Sequence, residues 1–223
     1  MTPDTSAGLP PKTGAVLLHG LARTRRSMRP LAVYLERQGY TVVNVSYPSR
    51  RYPVETLARL ALPPAVAELR RGGIESIHFV THSMGGILLR SYLASENLPE
   101  LSRVVMLSPP NQGSEVVDHL GCYFWFRWFF GPAGCQLGTA ESDLPLRLGP
   151  MPCPVGIIIG TLPALGLSRF FPGPNDGKVS VARAQLTGMT DFLTLPYGHA
   201  FIMRHRPVLA QVAFFLENGR FWR

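Results

Sequence analysis

A short polar segment between an apolar strand pattern and an amphipathic helix pattern constrains the fold of this chain most strongly. The segment, residues 81–86, reads Thr-His-Ser-Met-Gly-Gly. Residues 74–80 before it are rich in β-branched and aromatic side chains, which predicts a strand, and the apolar residues after it recur at helical spacing. The turn between the two elements is predicted to be tight, and Gly85 lets the backbones of strand and helix approach each other. Ser83 is therefore predicted to project from the edge of a sheet, at a helix N-terminus whose free N–H groups favour negative charge.

Strand and helix patterns alternate along the rest of the chain. Strands are predicted at residues 14–18, 40–45, 74–80, 103–107, 155–159 and 191–195. Helices are predicted from Ser27 to near Gly39, from about 53 to 71 with an interruption at Pro63 and Pro64, after residue 86, and from about 207 to 216. Such alternation is typical of a parallel sheet covered by helices on both faces. The sequence therefore predicts an α/β fold with a six-stranded, mostly parallel sheet in one domain, residues 1–223.

Composition excludes several classes of protein. With 46% hydrophobic and 16% charged residues, the chain is globular rather than disordered, and no apolar run reaches the roughly 18 residues of a membrane span. Residues 1–13 lack the basic and apolar parts of a secretory signal, which predicts a cytoplasmic protein that is at most peripheral to a membrane. The net charge of +8 comes from scattered arginines without a nucleic-acid-binding motif. A solvated basic surface is the first interpretation, and attraction to anionic lipid headgroups is the second.

Residues 108–154 form a connection too long for an ordinary strand-to-helix link. They include an aromatic run, residues 122–130, with the sequence Cys-Tyr-Phe-Trp-Phe-Arg-Trp-Phe-Phe. The run is consistent with a lid or acyl-binding wall, with a segment that enters a membrane interface, or with a small core of the insertion. Cys122, the first residue of this run, could pair with Cys135, but three cysteines (the third is Cys153) without metal-ligand spacing favour free thiols.

Four short segments together resemble the α/β-hydrolase superfamily, particularly compact bacterial lipases and esterases with an Ala-His-Ser-Met-Gly-Gly turn. They are Leu-His-Gly-Leu at residues 18–21, the segment 81–86, Asn-Asp-Gly at 175–177 and Gly-His at 198–199. The chain departs from the family pattern at Thr81, which replaces a small residue, and in its longer aromatic insertion. The resemblance implies a serine nucleophile at Ser83, served by a base and an acid that follow it in the order acid, then histidine.

The base is predicted to be His199, because it directly follows the sixth strand and precedes the last helix. His205 lies further on among arginines, which disfavour its charged form, and His119 precedes any suitable acid. A serine nucleophile needs such a base to accept its proton, and the base needs a carboxylate that fixes its tautomer.

The acid is predicted to be Asp176, in the turn-forming sequence Pro-Asn-Asp-Gly after the fifth strand. Taken alone, this sequence indicates only a turn. Asp191 begins a strand and so lies at the wrong edge of the sheet, while Glu141 and Asp143 precede the fifth strand. The order of Ser83, Asp176 and the histidine therefore favours a catalytic carboxylate.

Two backbone N–H groups are predicted to bind an oxyanion, those of Leu21 and Met84. Gly20 lets the loop after the first strand turn back toward the serine, and the N–H that follows the nucleophile is the usual second donor. His19 precedes this turn and is predicted to brace the loop rather than to act as a base.

The resemblance implies hydrolysis of carboxylic esters through an acyl-serine intermediate, without a metal or organic cofactor. The expected partner is a small-molecule or lipid-like ester with a hydrophobic acyl group, and peripheral membrane contact is an additional expectation. A thioesterase, amidase or acyltransferase with the same three residues is the alternative within the fold. A noncatalytic binding protein, or a membrane-associated adaptor acting through the aromatic run and the basic surface, is the alternative outside enzymes.

Overall fold

The computed structural model describes residues 12–164, 166 and 168–223. Its sheet has six strands in the order β2-β1-β3-β4-β5-β6, and every neighbouring pair is parallel. The strands are β1 (Thr13–Leu18), β2 (Thr41–Asn44), β3 (Ser76–His82), β4 (Leu101–Leu107), β5 (Val155–Gly160) and β6 (Asp191–Leu195). The predicted α/β fold and its six strands are confirmed. The segment used to predict the absence of a secretory signal lies outside the described residues, except for positions 12 and 13.

Helices cover both faces of the sheet. They are α1 (Arg29–Arg37), α2 (Val54–Arg71), α3 (Met84–Leu93), α4 (Glu115–Leu120), α5 (Phe124–Cys135), α6 (Leu144–Arg147), α7 (Val181–Ala184) and α8 (Arg206–Asn218). Alternate residues of β1 enter opposite cores: Val16 and Leu18 pack with α2 and α3, whereas Ala15 and Leu17 pack with α1 and α8. Burial on both faces explains why the strands are continuous apolar runs. None of the helices in the described part of the chain is long and apolar enough to cross a membrane.

Two predicted helix boundaries need correction. Pro63 and Pro64 do not interrupt α2, which continues from Val54 to Arg71. Both prolines lie on its exposed face, while the residues around them are buried against the sheet and α3; that packing offsets the hydrogen bonds that proline cannot donate. In addition, residues 25–28 form a 3₁₀ turn, and α1 begins at Arg29.

The insertion is anchored to α3 by a buried arginine. The Arg90 guanidinium donates hydrogen bonds to the carbonyl oxygen of Asn111 (2.9 Å) and to those of Leu148 and Gly149. Burial lowers the pKa of Arg90 to about 10, so the guanidinium stays charged at neutral pH and its donors remain strong. Arg90 thus joins the two ends of the insertion that contains α4, α5 and α6.

Candidate active site

Ser83 lies at the carboxyl end of β3 in a strained conformation. Its φ of 54° and ψ of −126° fall in a region that residues with a Cβ rarely adopt. Its N–H donates to the carbonyl oxygen of Leu107 on the neighbouring strand (2.8 Å), which holds the strained residue in place. Strain of this kind persists only where the surrounding structure imposes it, and it concentrates at functional sites.

Gly85 is required by the close approach of α3 to β1. A Cβ at this position would lie 2.7 Å from the carbonyl oxygen of Leu18 and 2.9 Å from that of His19, both of them backbone atoms. We therefore expect Gly85→Ala to lower the free energy of unfolding by about 1–3 kcal/mol, measured by urea denaturation. Gly149→Ala is the matched control, because nothing lies within 4 Å of a Cβ there. Equal stability of the two variants would contradict the close approach.

Thr81 is accommodated by the glycine that follows the turn. Its side chain is fully buried, and a Cβ at Gly86 would lie 3.3 Å from the Thr81 hydroxyl oxygen. The space for the larger residue at position 81 is therefore provided by Gly86. The Thr81 hydroxyl has no hydrogen-bond partner within the described residues.

The structure brings Ser83, His199 and Asp176 together in one hydrogen-bonded chain. The Ser83 hydroxyl donates to His199 Nε2 (3.0 Å), and His199 Nδ1 donates to Asp176 Oδ2 (2.8 Å). The same histidine and aspartate are also joined through the backbone, where the His199 N–H donates to the Asp176 carbonyl oxygen (2.9 Å). Both side chains are buried, with 6% exposure for His199 and none for Asp176. A base and a carboxylate in this arrangement are able to accept the serine proton and stabilise the resulting charge.

Asp176 is held in its charged form by its surroundings. Burial alone would raise its pKa, but the charge and hydrogen bond of His199 and the Val179 N–H outweigh burial and lower the pKa below its ordinary value. Oδ1 accepts from the N–H groups of Lys178 (3.0 Å) and Val179 (2.9 Å). The nearby Ser108 side chain also lowers the pKa of Asp176. The Ser108 hydroxyl forms no hydrogen bond of normal geometry with any described residue.

His82 and Ser108 belong to the site, and our sequence reasoning assigned no role to either. His82 Nε2 donates to the carbonyl oxygen of His199 (2.9 Å), so it positions the backbone of the predicted base. Burial, followed by the charge of His199, lowers the pKa of His82 well below its ordinary value, which keeps it neutral. Ser108 directly follows β4 with a φ of 51°. The only local signal for either residue is its position at the carboxyl end of a predicted strand.

Hydrogen bonds hold the loop that carries Leu21 in a conformation with a positive φ. Gly20 and Arg23 close a turn through the Arg23 N–H and the Gly20 carbonyl oxygen (3.3 Å), and Ala22 has a φ of 55°. The Ala22 N–H donates to the Ser49 hydroxyl (3.1 Å). Neither the Leu21 N–H nor the Met84 N–H has a hydrogen-bond partner among the residues that the structure describes, as expected of donors kept free for a ligand.

His19 braces this loop as predicted from its position. The fully buried ring stacks on Tyr47, with a centroid distance of 4.0 Å. Its Nδ1 donates to the Gly20 carbonyl oxygen (2.9 Å), and the Tyr47 hydroxyl donates to the carbonyl oxygen of His19. Burial lowers the pKa of His19, so the ring is neutral. Its role is to support the loop by packing and hydrogen bonding.

A comparison with known protein families places the sequence in one of them. The sequence matches the Alpha/beta hydrolase family over residues 15–218. The chain belongs to this family. No curated protein matches the sequence, whereas solved structures match its fold.

Three solved structures illustrate the similarity. The mature form of the Bacillus licheniformis lipase BlEst2 has a TM-score of 0.72 at 19% identity, with 97% of this chain and 96% of that chain covered. The phospholipase PlaB from Legionella pneumophila has a TM-score of 0.70 at 18% identity, with 95% of this chain and 60% of that chain covered. The metagenomic carboxyl esterase MGS0156 has a TM-score of 0.66 at 19% identity, with 95% and 79% covered. At these identities the similarity is one of fold.

The other acids and histidines weighed for the site of this α/β hydrolase have different partners. Asp191 is at the start of β6, where it accepts hydrogen bonds from Arg223 and the Phe221 N–H. The His205 ring stacks on Tyr197. Among the remaining candidates, His119 stacks on Phe170, Asp143 accepts from the Ala140 N–H, and Glu141 is exposed.

A cavity of about 240 Å³ opens beside Ser83 and His199. Its wall is mostly apolar and comes largely from the insertion: Pro110, Val116, Val117, Leu120, Trp125, Phe126, Phe130 and Leu137. The aromatic run is therefore divided between two surroundings. Phe126 is buried and Phe130 half-buried at the cavity, whereas Phe124 and Trp128 are 81% and 77% exposed. Cys122 is exposed, Cys135 is half-buried, and both are free thiols.

Proposed function

We propose that this α/β hydrolase cleaves carboxylic esters with hydrophobic acyl groups through an acyl-serine intermediate. The observation that carries the proposal is the hydrogen-bonded chain from Ser83 through His199 to Asp176, with Ser83 and His199 lining an apolar cavity. In this proposal Ser83 is the nucleophile, His199 the base and Asp176 the orienting acid. These roles follow from the two hydrogen bonds: the serine donates to the imidazole, and the imidazole donates to the carboxylate.

Acylation begins when Ser83 Oγ attacks the ester carbonyl carbon and its proton passes to His199 Nε2. The carbonyl oxygen gains a negative charge, which the N–H groups of Leu21 and Met84 stabilise as hydrogen-bond donors. The tetrahedral species then collapses, the carbon–oxygen bond to the alcohol breaks, and His199 returns its proton to the departing alcohol oxygen. Asp176 stabilises the imidazolium between these two transfers.

Deacylation repeats the sequence with water. His199 removes a proton from a water molecule while the water oxygen attacks the acyl carbon. The second tetrahedral species collapses with release of Ser83 Oγ, which recovers the proton from His199. A carboxylic acid leaves, and the enzyme returns to its starting state.

The size of the cavity leads us to expect a preference for short to medium acyl chains. About 240 Å³ is below the range of roughly 300–1,000 Å³ that sites for drug-sized ligands occupy. Hydrolysis of p-nitrophenyl esters from acetyl to palmitoyl is the measurement, and kcat/KM is expected to peak before the longest chains. Labelling of Ser83 by a fluorophosphonate is the second readout. No turnover together with no labelling would overturn the proposed activity.

Other acyl chemistries use the same three residues. A thioesterase, an amidase or an acyltransferase would retain the acyl-serine intermediate and differ in the leaving group or the acceptor. Adding alcohols to the ester assay separates hydrolysis from transfer, because only a transferase forms the new ester in preference to the acid. A binding protein without catalysis would fail both the turnover and the labelling assay.

We also propose peripheral membrane contact through the exposed rings of the insertion. Phe124 and Trp128 project from α5 at 81% and 77% exposure, and Arg127 between them is exposed. Aromatic rings beside basic side chains are typical of segments that enter a membrane interface. Flotation with anionic liposomes is expected to fall when Phe124 and Trp128 are replaced by serine. Replacement of Trp222, exposed at the C-terminus (69%), is the control, and equal flotation of all forms would contradict the contact.

A further inference from the structure

We infer that the substrate ester carries an anionic group on its alcohol portion, bound between Arg23 and Lys178 at the mouth of the acyl cavity. The inference rests on the proposed ester hydrolysis and adds to it the chemical class of the substrate. A phosphate and a carboxylate share the required charge, and the experiment below distinguishes them.

Arg23 and Lys178 both line the cavity beside Ser83 and His199. Each cation is close in sequence to a residue of the site. Arg23 ends the turn that carries Leu21, and Lys178 lies two residues after Asp176. The two cations are therefore fixed to the backbone that positions the oxyanion donor and the acid. A group bound between them lies close to the reacting carbonyl, on the polar side of an otherwise apolar wall.

Neither cation forms an ion pair with a carboxylate of the described residues. In the described part of the chain no carboxylate lies within ion-pair distance of Arg23, Lys178 or Arg204. The Arg23 guanidinium donates one hydrogen bond, to the Ala200 carbonyl oxygen (3.0 Å), which leaves most of its five donors free. The Lys178 ammonium donates none among the described residues. Asp176, the nearby carboxylate, is already paired with His199.

The positive charges of Arg23, Arg204 and Lys178 repel one another. Loss of hydration and then the charge of Arg204 lower the pKa of Arg23. Loss of hydration and then the charge of Arg23 lower the pKa of Lys178, an effect that the charge of Asp176 opposes but does not cancel. Arg23 and Arg204 also stack on the same ring, that of Phe201, at 5.3 and 4.8 Å from its centroid. Placing like charges close together costs free energy. Cations whose only role is to make a surface soluble are therefore expected to lie further apart. An anionic ligand removes that cost when it binds.

The open cleft on the other side of Arg23 fits the same chemistry. It has a volume of about 1,030 Å³, and its lining includes Arg50, Arg51 and Trp128. Because Arg23 lines both the cleft and the acyl cavity, it lies between the space for an acyl chain and the space for a polar alcohol portion. Charge-assisted hydrogen bonds from a guanidinium are well suited to phosphate and carboxylate oxygens.

The test compares octanoyl esters of glycerol, of glycerol 3-phosphate and of glyceric acid, in which the third carbon of the alcohol portion carries a hydroxyl, carries a phosphate or is itself the carboxylate carbon. The readout is the ratio of kcat/KM for each anionic ester to kcat/KM for the neutral ester. Lys178→Gln and Arg23→Gln are each expected to lower this ratio about tenfold, the equivalent of one charge-assisted hydrogen bond. Arg59→Gln changes the net charge equally at an exposed position of α2 and is expected to leave the ratio unchanged.

The outcomes separate the inference from the proposed function. A ratio below one in the unmodified protein, or an equal ratio in all variants, overturns the anionic subsite and leaves ester hydrolysis intact. A high ratio for only one of the two anionic esters identifies the group as phosphate or carboxylate. Because electrostatic binding is screened by salt, the ratio in the unmodified protein is also expected to fall as ionic strength rises.

A binding measurement covers the case in which no ester is hydrolysed. The Ser83→Ala protein is titrated with dodecyl phosphate and with dodecanol, and tryptophan fluorescence is followed, to which Trp125 in the cavity wall contributes. Dodecyl phosphate is expected to bind about tenfold more tightly, and the added substitution Lys178→Gln is expected to remove the difference. Equal affinity for the two amphiphiles overturns the subsite, whatever the protein catalyses.

Discussion

Replacement of Ser83 by alanine is expected to lower kcat for ester hydrolysis by about 10⁶-fold, the scale of loss when a serine nucleophile is removed from such a site. The hydroxyl is the atom that His199 Nε2 faces at 3.0 Å, and alanine has nothing to bond to the acyl carbon. The measurement is single-turnover and steady-state hydrolysis of the preferred p-nitrophenyl ester, together with loss of fluorophosphonate labelling. Gly149→Ala, on an open part of the surface, is the control for handling and folding.

The strained backbone at Ser83 leads to a second prediction, which concerns the stability of variants at this position. Its φ of 54° and ψ of −126° are unfavourable for alanine as well as for serine, but glycine adopts such angles readily. Ser83→Gly is therefore expected to be inactive and yet more stable than Ser83→Ala by about 1 kcal/mol. Thermal or urea unfolding of the two variants provides the comparison. An alanine variant that keeps its turnover, or a glycine variant less stable than the alanine one, would contradict this account of the turn.

The parts of the fold that the sequence predicts are those set by local chemistry. Strands β1, β3 and β5 are apolar runs because both faces of the sheet are covered, and the turn at Ser83 needs small residues where two backbones meet. The order of Ser83, Asp176 and His199 along the chain, together with their positions after predicted strands, selected them from several acids and histidines. The structure places the His199 ring within hydrogen-bond distance of both Ser83 and Asp176.

The features that sequence reasoning missed depend on contacts between distant segments. His82 bonds the carbonyl oxygen of a residue 117 positions away, and Arg90 bonds the carbonyl oxygens at both ends of the insertion. Neither contact has a periodic or motif signal. The continuity of α2 through Pro63 and Pro64 was missed for a related reason, since tertiary packing overrides the local penalty of proline.

Asp176→Asn is expected to lower kcat by about 10⁴-fold, because the geometry around the carboxylate determines how an amide would orient. Oδ1 accepts from two backbone N–H groups, those of Lys178 and Val179. The asparagine oxygen must occupy that place, which directs its NH₂ group toward His199 Nδ1, where Oδ2 now accepts a hydrogen bond. Two donors would then face each other, so the imidazole changes to the tautomer with its proton on Nε2.

In that tautomer His199 presents a proton, rather than a lone pair, to the Ser83 hydroxyl, and the base is lost although every heavy atom stays in place. The kcat for ester hydrolysis is the measurement. Asp191→Asn is the matched control, since Asp191 lies at the opposite end of its strand and pairs with Arg223; its kcat is expected to stay close to that of the unmodified enzyme. If Asp176→Asn retains full kcat, the carboxylate only shapes the turn and another group orients the histidine. A large loss in Asp176→Asn alone assigns the orienting role to Asp176, because the two substitutions make the same chemical change at opposite edges of one sheet.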